Sequence, residues 1–113
     1  MNVTRTVPLK SPHVNALLST SSSGDNTVVA AVAGTRFRVL SVAVVATLAN
    51  VVTFKSGAST AISAAFPLGA NGGIVLPFNE HGWFETAVGE ALVINMGTAT
   101  ATGVQVQYIR LLS

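Results

Sequence analysis

From Thr27 onward, apolar and polar positions alternate in short runs, and most runs close on glycine or asparagine. They read TVVAAV, RFRVLSVAVVAT, NVVTFKSG, STAISAAFPL, GGIVLPFN, WFET, EALVINMGT and GVQVQYIRLL. The breaks AGT, LAN, GA, GANGG, EHG and AVG are of the kind that supplies the positive φ of tight turns. No run keeps a 3.6-residue period between capping residues. Eight such runs at about ten-residue spacing predict an all-β protein, an eight-stranded antiparallel β-sandwich or barrel.

The two-residue period also assigns sides. Phe37, Val39, Ser41, Ala43 and Val45 would share one face of the second run, with Arg36, Arg38, Leu40, Val42 and Val44 on the other. The expected core is Phe37, Val39, Val52, Phe54, Ile74, Leu76, Phe78, Leu92, Ile94, Val104, Val106 and Tyr108. Beyond Arg38 the second run is apolar on both faces, although a sheet in a sandwich has only one inner face. A second chain is the simplest cover for Leu40, Val42 and Val44, which makes them the expected interface of a symmetric oligomer.

Residues 1–26 are different. They hold no sustained period, carry Pro8 and Pro12, and end in STSSSGDN. This pattern predicts an extended N-terminal arm with a serine-rich connector, followed by a sandwich domain over residues 27–113. Val3, Val7, Leu9, Val14, Leu17 and Leu18 are the arm's apolar side chains, expected to dock on a neighbouring surface or swap between protomers.

Composition changes the picture through one deficit. Half of the 113 residues are hydrophobic but only 9% are charged, against about 25% in an ordinary soluble domain. A chain this poor in charge either enters a membrane or covers much of its outside with protein. The membrane reading rests on Val39 to Phe54. As a helix that run would span about 24 Å, short of a hydrocarbon core of about 30 Å, and its β-branched residues favour strands. Protein is therefore the expected partner. The net charge of +2 includes no basic cluster beyond Arg36 and Arg38, so nucleic acid is not expected. The absence of cysteine excludes disulfides and thiolate metal sites.

Candidate chemistry is concentrated in LPFNEHGWFETAVGEAL, residues 76–92, which holds Glu80, Glu85 and Glu90, His81 and the only tryptophan, Trp83. Glu80, His81 and Trp83 are expected at a loop tip. Adjacent extended residues point apart, and the spacing of the glutamates does not converge two carboxyls on one cleft. His13 lies far off in the arm, so a metal set is not assembled. GANGG leads into a strand where a phosphate loop needs a helix, and no GxSxG elbow occurs. No catalytic residue, metal or cofactor is expected. Trp83 with Phe84 would anchor a strand end or, alternatively, offer a stacking surface to sugars.

Several phrases in order give a resemblance. VVAAVAGTRFRVL, VTFKSG, GANGG, PFN with GWFET, GEALVIN and the final VQVQYI, between Asp25 and Leu112, resemble a β-sandwich virion module of tailed bacteriophages. Such modules occur in capsid decoration (cement) proteins and in some tail or fibre components. The resemblance implies a jelly roll, commonly a homotrimer, that stabilises the outer capsid by binding the major capsid protein. It implies assembly in the bacterial host cytoplasm and no catalytic residues. The alternative it leaves open is a tail or baseplate fibre head recognising host surface glycans.

Overall fold

The computed structural model describes residues 13–112. Ten strands follow in order: β1 (His13–Thr20), β2 (Gly24–Val29), β3 (Thr35–Ala46), β4 (Asn50–Ser56), β5 (Thr60–Ala61), β6 (Phe66–Leu68), β7 (Gly72–Leu76), β8 (Phe84–Glu85), β9 (Leu92–Met96) and β10 (Thr102–Leu112). They pair antiparallel in a nested series: β1 with β10, β2 with β9, β3 with β7 and β8, β4 with β5 and β6. Two further pairs, β10 with β3 and β4 with β9, knit the nest into two five-stranded sheets. Sheet A runs β1-β10-β3-β7, with β8 also on β3, and sheet B runs β2-β9-β4-β5, with β6 also on β4. A long hairpin wound on itself in this way is a jelly roll. Two of its eight strands are broken in the middle, which gives ten.

Each break is filled by other donors and acceptors, because an unpaired buried backbone group is costly. Between β5 and β6, the Phe54 carbonyl accepts from the Ile62 and Ser63 amides at 2.9 and 3.3 Å. The Phe54 amide donates to Ser63 Oγ at 2.8 Å. Between β7 and β8, the Asn79 amide donates to the Leu40 carbonyl at 2.9 Å and the Trp83 amide to the Val39 carbonyl at 2.8 Å.

β3 carries the largest departure from simple alternation. In its pairing with β10, Tyr108 faces Val39 and Gln107 faces Ser41, so Leu40 is an extra residue, a β-bulge. The bulge reverses the alternation. Thr35, Phe37 and Val39 are buried before it, and Val42, Val44 and Ala46 after it. Val42 and Val44 are 2% and 0% exposed within the chain's own core, and Leu40 is 1% exposed. The expected oligomer interface at these three residues is therefore corrected: they are covered by their own chain. Ser41, Ala43 and Val45 are turned outward instead.

The core joins Phe37, Val39, Val42, Val44, Val52, Phe54, Leu92, Ile94, Met96, Val104, Val106 and Tyr108, among others. The Phe37 and Tyr108 rings meet edge to face at 5.3 Å, and Phe54 stacks on Phe84 at 5.1 Å. Ile74 and Leu76 pack against this core partly buried, whereas Phe78, expected inside, is exposed. Several buried polar groups are paired, although Arg36 Nε has no hydrogen-bond partner among the described residues. Thr86 Oγ1 accepts from the Phe37 amide at 3.0 Å, and Asn50 Oδ1 accepts from the Thr98 amide at 2.9 Å.

The expected arm ending at residue 26 is also corrected where the structure describes it. Val14 and Leu18 lie on β1, half-buried against the core, while Leu17 faces out. β2 then crosses the expected boundary at Asn26. Removing residues 1–20 would therefore remove a strand of the sandwich, not an appendage. Val3, Val7 and Leu9 lie outside the described residues.

Sheet B's outer surface is tied by polar contacts. Lys55 Nζ lies 3.1 and 3.2 Å from the Asp25 carboxylate, and Asn95 Nδ2 donates to Asp25 Oδ1 at 2.7 Å. These two hydrogen bonds, with the Lys55 charge, hold the Asp25 carboxyl below its ordinary value of 3.8. A depressed folded-state pKa gives stability that is present above the unfolded value and is lost as pH falls through the folded one. Asp25→Asn is thus expected to be less stable than wild type at pH 7, within about 1 kcal/mol as for exposed pairs. Urea melts should show that gap closing as pH drops below 3.8.

The reversed alternation in β3 makes a second expectation. Val44→Asp buries a charge with no partner and should abolish the folded state by circular dichroism. Ala43→Asp, one residue away on the outer face, should keep the wild-type spectrum. Equal tolerance of both would contradict the bulge.

Candidate functional site

The segment between β7 and β8 is built as a docked loop. Asn79 Oδ1 accepts from the His81 amide at 3.0 Å, and the Asn79 carbonyl accepts from the Gly82 amide at 2.9 Å, which closes a tight turn. Gly82 has φ 83°, and a Cβ there would overlap the Arg38 side chain, so glycine is needed for this turn to lie on β3. Trp83 Nε1 donates to the Pro77 carbonyl at 2.7 Å, fixing the indole across the loop's base. Phe78 reaches the ring of His13 on β1 at 5.7 Å. Because β10 and β3 lie between β1 and β7, Phe78 must cross the outer surface of sheet A.

The loop does not gather its ionisable side chains at one point. Glu80 and His81 are exposed at its tip. Glu85 binds Arg38 at 2.7 Å and lies 3.7 Å from Arg36. Glu90 accepts from Ser56 Oγ at 2.5 Å, and that oxygen accepts from the Ala87 amide at 2.8 Å. Glu85 and Glu90 are each committed to a different strand. Among the described residues, no three His, Cys, Asp or Glu side chains gather as a metal site. No helix there is long and apolar enough to cross a membrane.

The feature that stands out is the outer face of sheet A. Register aligns its outward side chains in rows across the strands. Leu17, Gln105, Ala43 and Val75 form one row, and Ser19, Gly103, Val45 and Gly73 the next. Asn15, Gln107 and Ser41 form a third. None of these side chains is charged. Leu17, Val75 and Val45 are 73%, 70% and 58% exposed. Among the described residues, charge appears on this face only at one end, where His13, Ile109, Arg38 and Glu85 align. Gly73 keeps the surface low: a Cβ there would overlap the Val44 carbonyl oxygen. Shallow grooves run along the face, lined by Leu17, Ala43, Val45 and Gln105 and by Asn15, Ser41, Val75 and Pro77.

Sequence reasoning placed the unsatisfied apolar surface on the correct strand but on the wrong side chains. Simple alternation puts Val45 on the same face as Phe37 and Val39 and does not single out Val75. The signal that could have found them is the tripeptide Val39-Leu40-Ser41, where the alternation breaks if both Phe37 and Val44 are to be buried.

No protein-family model matches the chain, and no curated protein matches it. A solved structure from work on Bacillus endospore appendages, described there as a novel family of disulfide-linked pili, aligns over 99% of this chain and 98% of that one. Its TM-score is 0.48 and its sequence identity 13%. This chain has no cysteine, so the disulfide linkage belongs to that protein.

Proposed function

We propose that this chain is a structural virion protein, a capsid decoration protein that docks on an outer shell through the uncharged outer face of sheet A. The observation that carries the reading is that face: two rows across four strands and a third across three, all without a charge, with Leu17, Val45 and Val75 open to solvent. Burial contributes about 25 cal/mol per Å², against association costs of several kcal/mol. A single small contact is therefore weak, and repetition by a symmetric oligomer would strengthen it. The resemblance of several phrases to tailed-phage virion modules is what suggests a shell as that surface.

The half-exposed Phe78 and Trp83 favour a second reading, a fibre head that stacks host glycans on the aromatic loop. Two measurements separate them. Quantitative mass spectrometry of purified virions should find a copy number comparable to that of the major shell protein, whereas a handful of copies would place the chain on a tail or fibre. Val45→Glu with Val75→Glu should weaken binding to undecorated shells by about tenfold or more, and Trp83→Ala should leave it unchanged. Loss of binding with Trp83→Ala alone would favour the aromatic loop.

A further inference from the structure

The sandwich has four strand edges, and three of them are guarded in the ways that prevent edge-to-edge pairing. β2 carries Asp25 and a register irregularity between Thr27 and Val29. β5 and β6 are two and three residues long, and Pro67 lies in β6. β7 gives way to Pro77 and the docked loop, and β8 is two residues carrying Glu85. The fourth edge, β1, is eight residues long, pairs with β10 in unbroken register, and has no Asp, Glu, Lys, Arg or proline. Only β10 pairs with it among the described strands. Val14, Ala16 and Leu18, on its inner side, remain only partly buried at the margin of the core.

We infer that β1 is a pairing edge for a second copy of this chain, joined antiparallel about a two-fold axis at Leu17. The register follows from the pleat. Opposed residues in an antiparallel pair lie on the same face, so outward residues must meet outward ones and a one-residue slip is excluded. Centring on Leu17 places Leu17 on Leu17, Asn15 on Ser19, Ala16 on Leu18 and Val14 on Thr20 of the other copy. Leu17 thus meets itself, polar Asn15 meets polar Ser19 and apolar Ala16 meets apolar Leu18, while Val14 opposes the methyl and hydroxyl of Thr20. Centring on Ala16 instead sets Asn15 against Leu17 and leaves Thr20 unpaired. The occupant is a second copy because the edge is largely complementary to itself in this register and has no Asp, Glu, Lys or Arg to repel its twin. The two copies form one continuous sheet whose inner side chains cover Val14, Ala16 and Leu18.

The test uses the full chain. Sedimentation should give twice the 11.5 kDa monomer mass. Opposed Cα atoms in an antiparallel pair lie about 4.5–5.5 Å apart, within disulfide reach, and the chain has no native cysteine. Leu17→Cys should thus cross-link fully under mild oxidation, while Gln105→Cys, its neighbour on β10, should not. Leu17→Lys should shift the sedimentation profile to monomer without changing the circular dichroism spectrum. A monomeric wild type at all concentrations would overturn the pairing. So would cross-linking through Gln105→Cys instead of Leu17→Cys, which would mean association by the face. Protection of β1 amides that appears only on shells would assign the edge to a foreign strand. Shell docking by Val45 and Val75 is read out separately, so either proposal can fail alone.

Discussion

A strand in a two-sheet sandwich has one inner face, and β3 has too many apolar side chains for it. The extra residue at Leu40 resolves the conflict by turning Phe37 and Val39 inward on one side of the bulge and Val42, Val44 and Ala46 inward on the other. Much of the rest of the sheet depends on that change of phase. β10 pairs along the whole strand through the irregularity, and the strand beyond it on the other side breaks into β7 and β8 at the same level. The Leu40 carbonyl would lack a partner there without the Asn79 amide. The loop that holds the glutamates, the histidine and the tryptophan is thus shaped by the need to satisfy a bulge.

The same change of phase decides what the molecule shows to its surroundings. After Leu40 the outward positions of β3 are Ser41, Ala43 and Val45, which are small or apolar. In register with them lie Gln105 and Gly103 on one side and Val75 and Gly73 on the other. Sheet B has the opposite character, with Asp25, Lys55 and Asn95 bonded across three strands on its outside. The low charge of the chain is therefore not spread evenly. Three rows on the outside of sheet A carry none, whereas the end of that face holds Arg38 and Glu85 and the outside of sheet B holds the Asp25–Lys55 pair.

Much of this was readable in advance where local rules and the global fold agree. The turns at Gly57, Gly82 and Gly89 all have positive φ, as the glycine-closed runs implied. The final strand buries Val104, Val106 and Tyr108 in strict alternation, as its sequence suggests. Two features were not legible. A leucine among valines marks a bulge only through the break in alternation at Val39-Leu40-Ser41, and simple alternation, which runs through that break, misassigns the faces after Val39. The first strand escaped because HVNALLST mixes Leu17 and Leu18 on opposite sides and follows a proline-containing segment, so its two-residue period is blurred. Its place in the sheet comes from β10, through the pairing of Val14 with Tyr108 and Leu18 with Val104 from the opposite end of the sequence, and no local rule encodes a contact at that separation.

Edge pairing and face docking, proposed on separate observations, are energetically connected. Fully burying side chains of the size of Leu17, Val45 and Val75 contributes about 1.5–3 kcal/mol each. That gross gain falls within the range of what association costs in lost rigid-body freedom, about 4–15 kcal/mol, so a single face would hold weakly. In an antiparallel pair the two-fold axis stands perpendicular to the sheet, and both outer faces then point to the same side. A dimer built on β1 would present two uncharged faces in one plane. The second would dock at a high effective concentration once the first had bound. Pairing through Leu17 would also place that side chain at the centre of the combined surface, where water is excluded best. A flat, neutral face of modest area becomes an adequate attachment surface when its neighbour across the edge is a copy of itself.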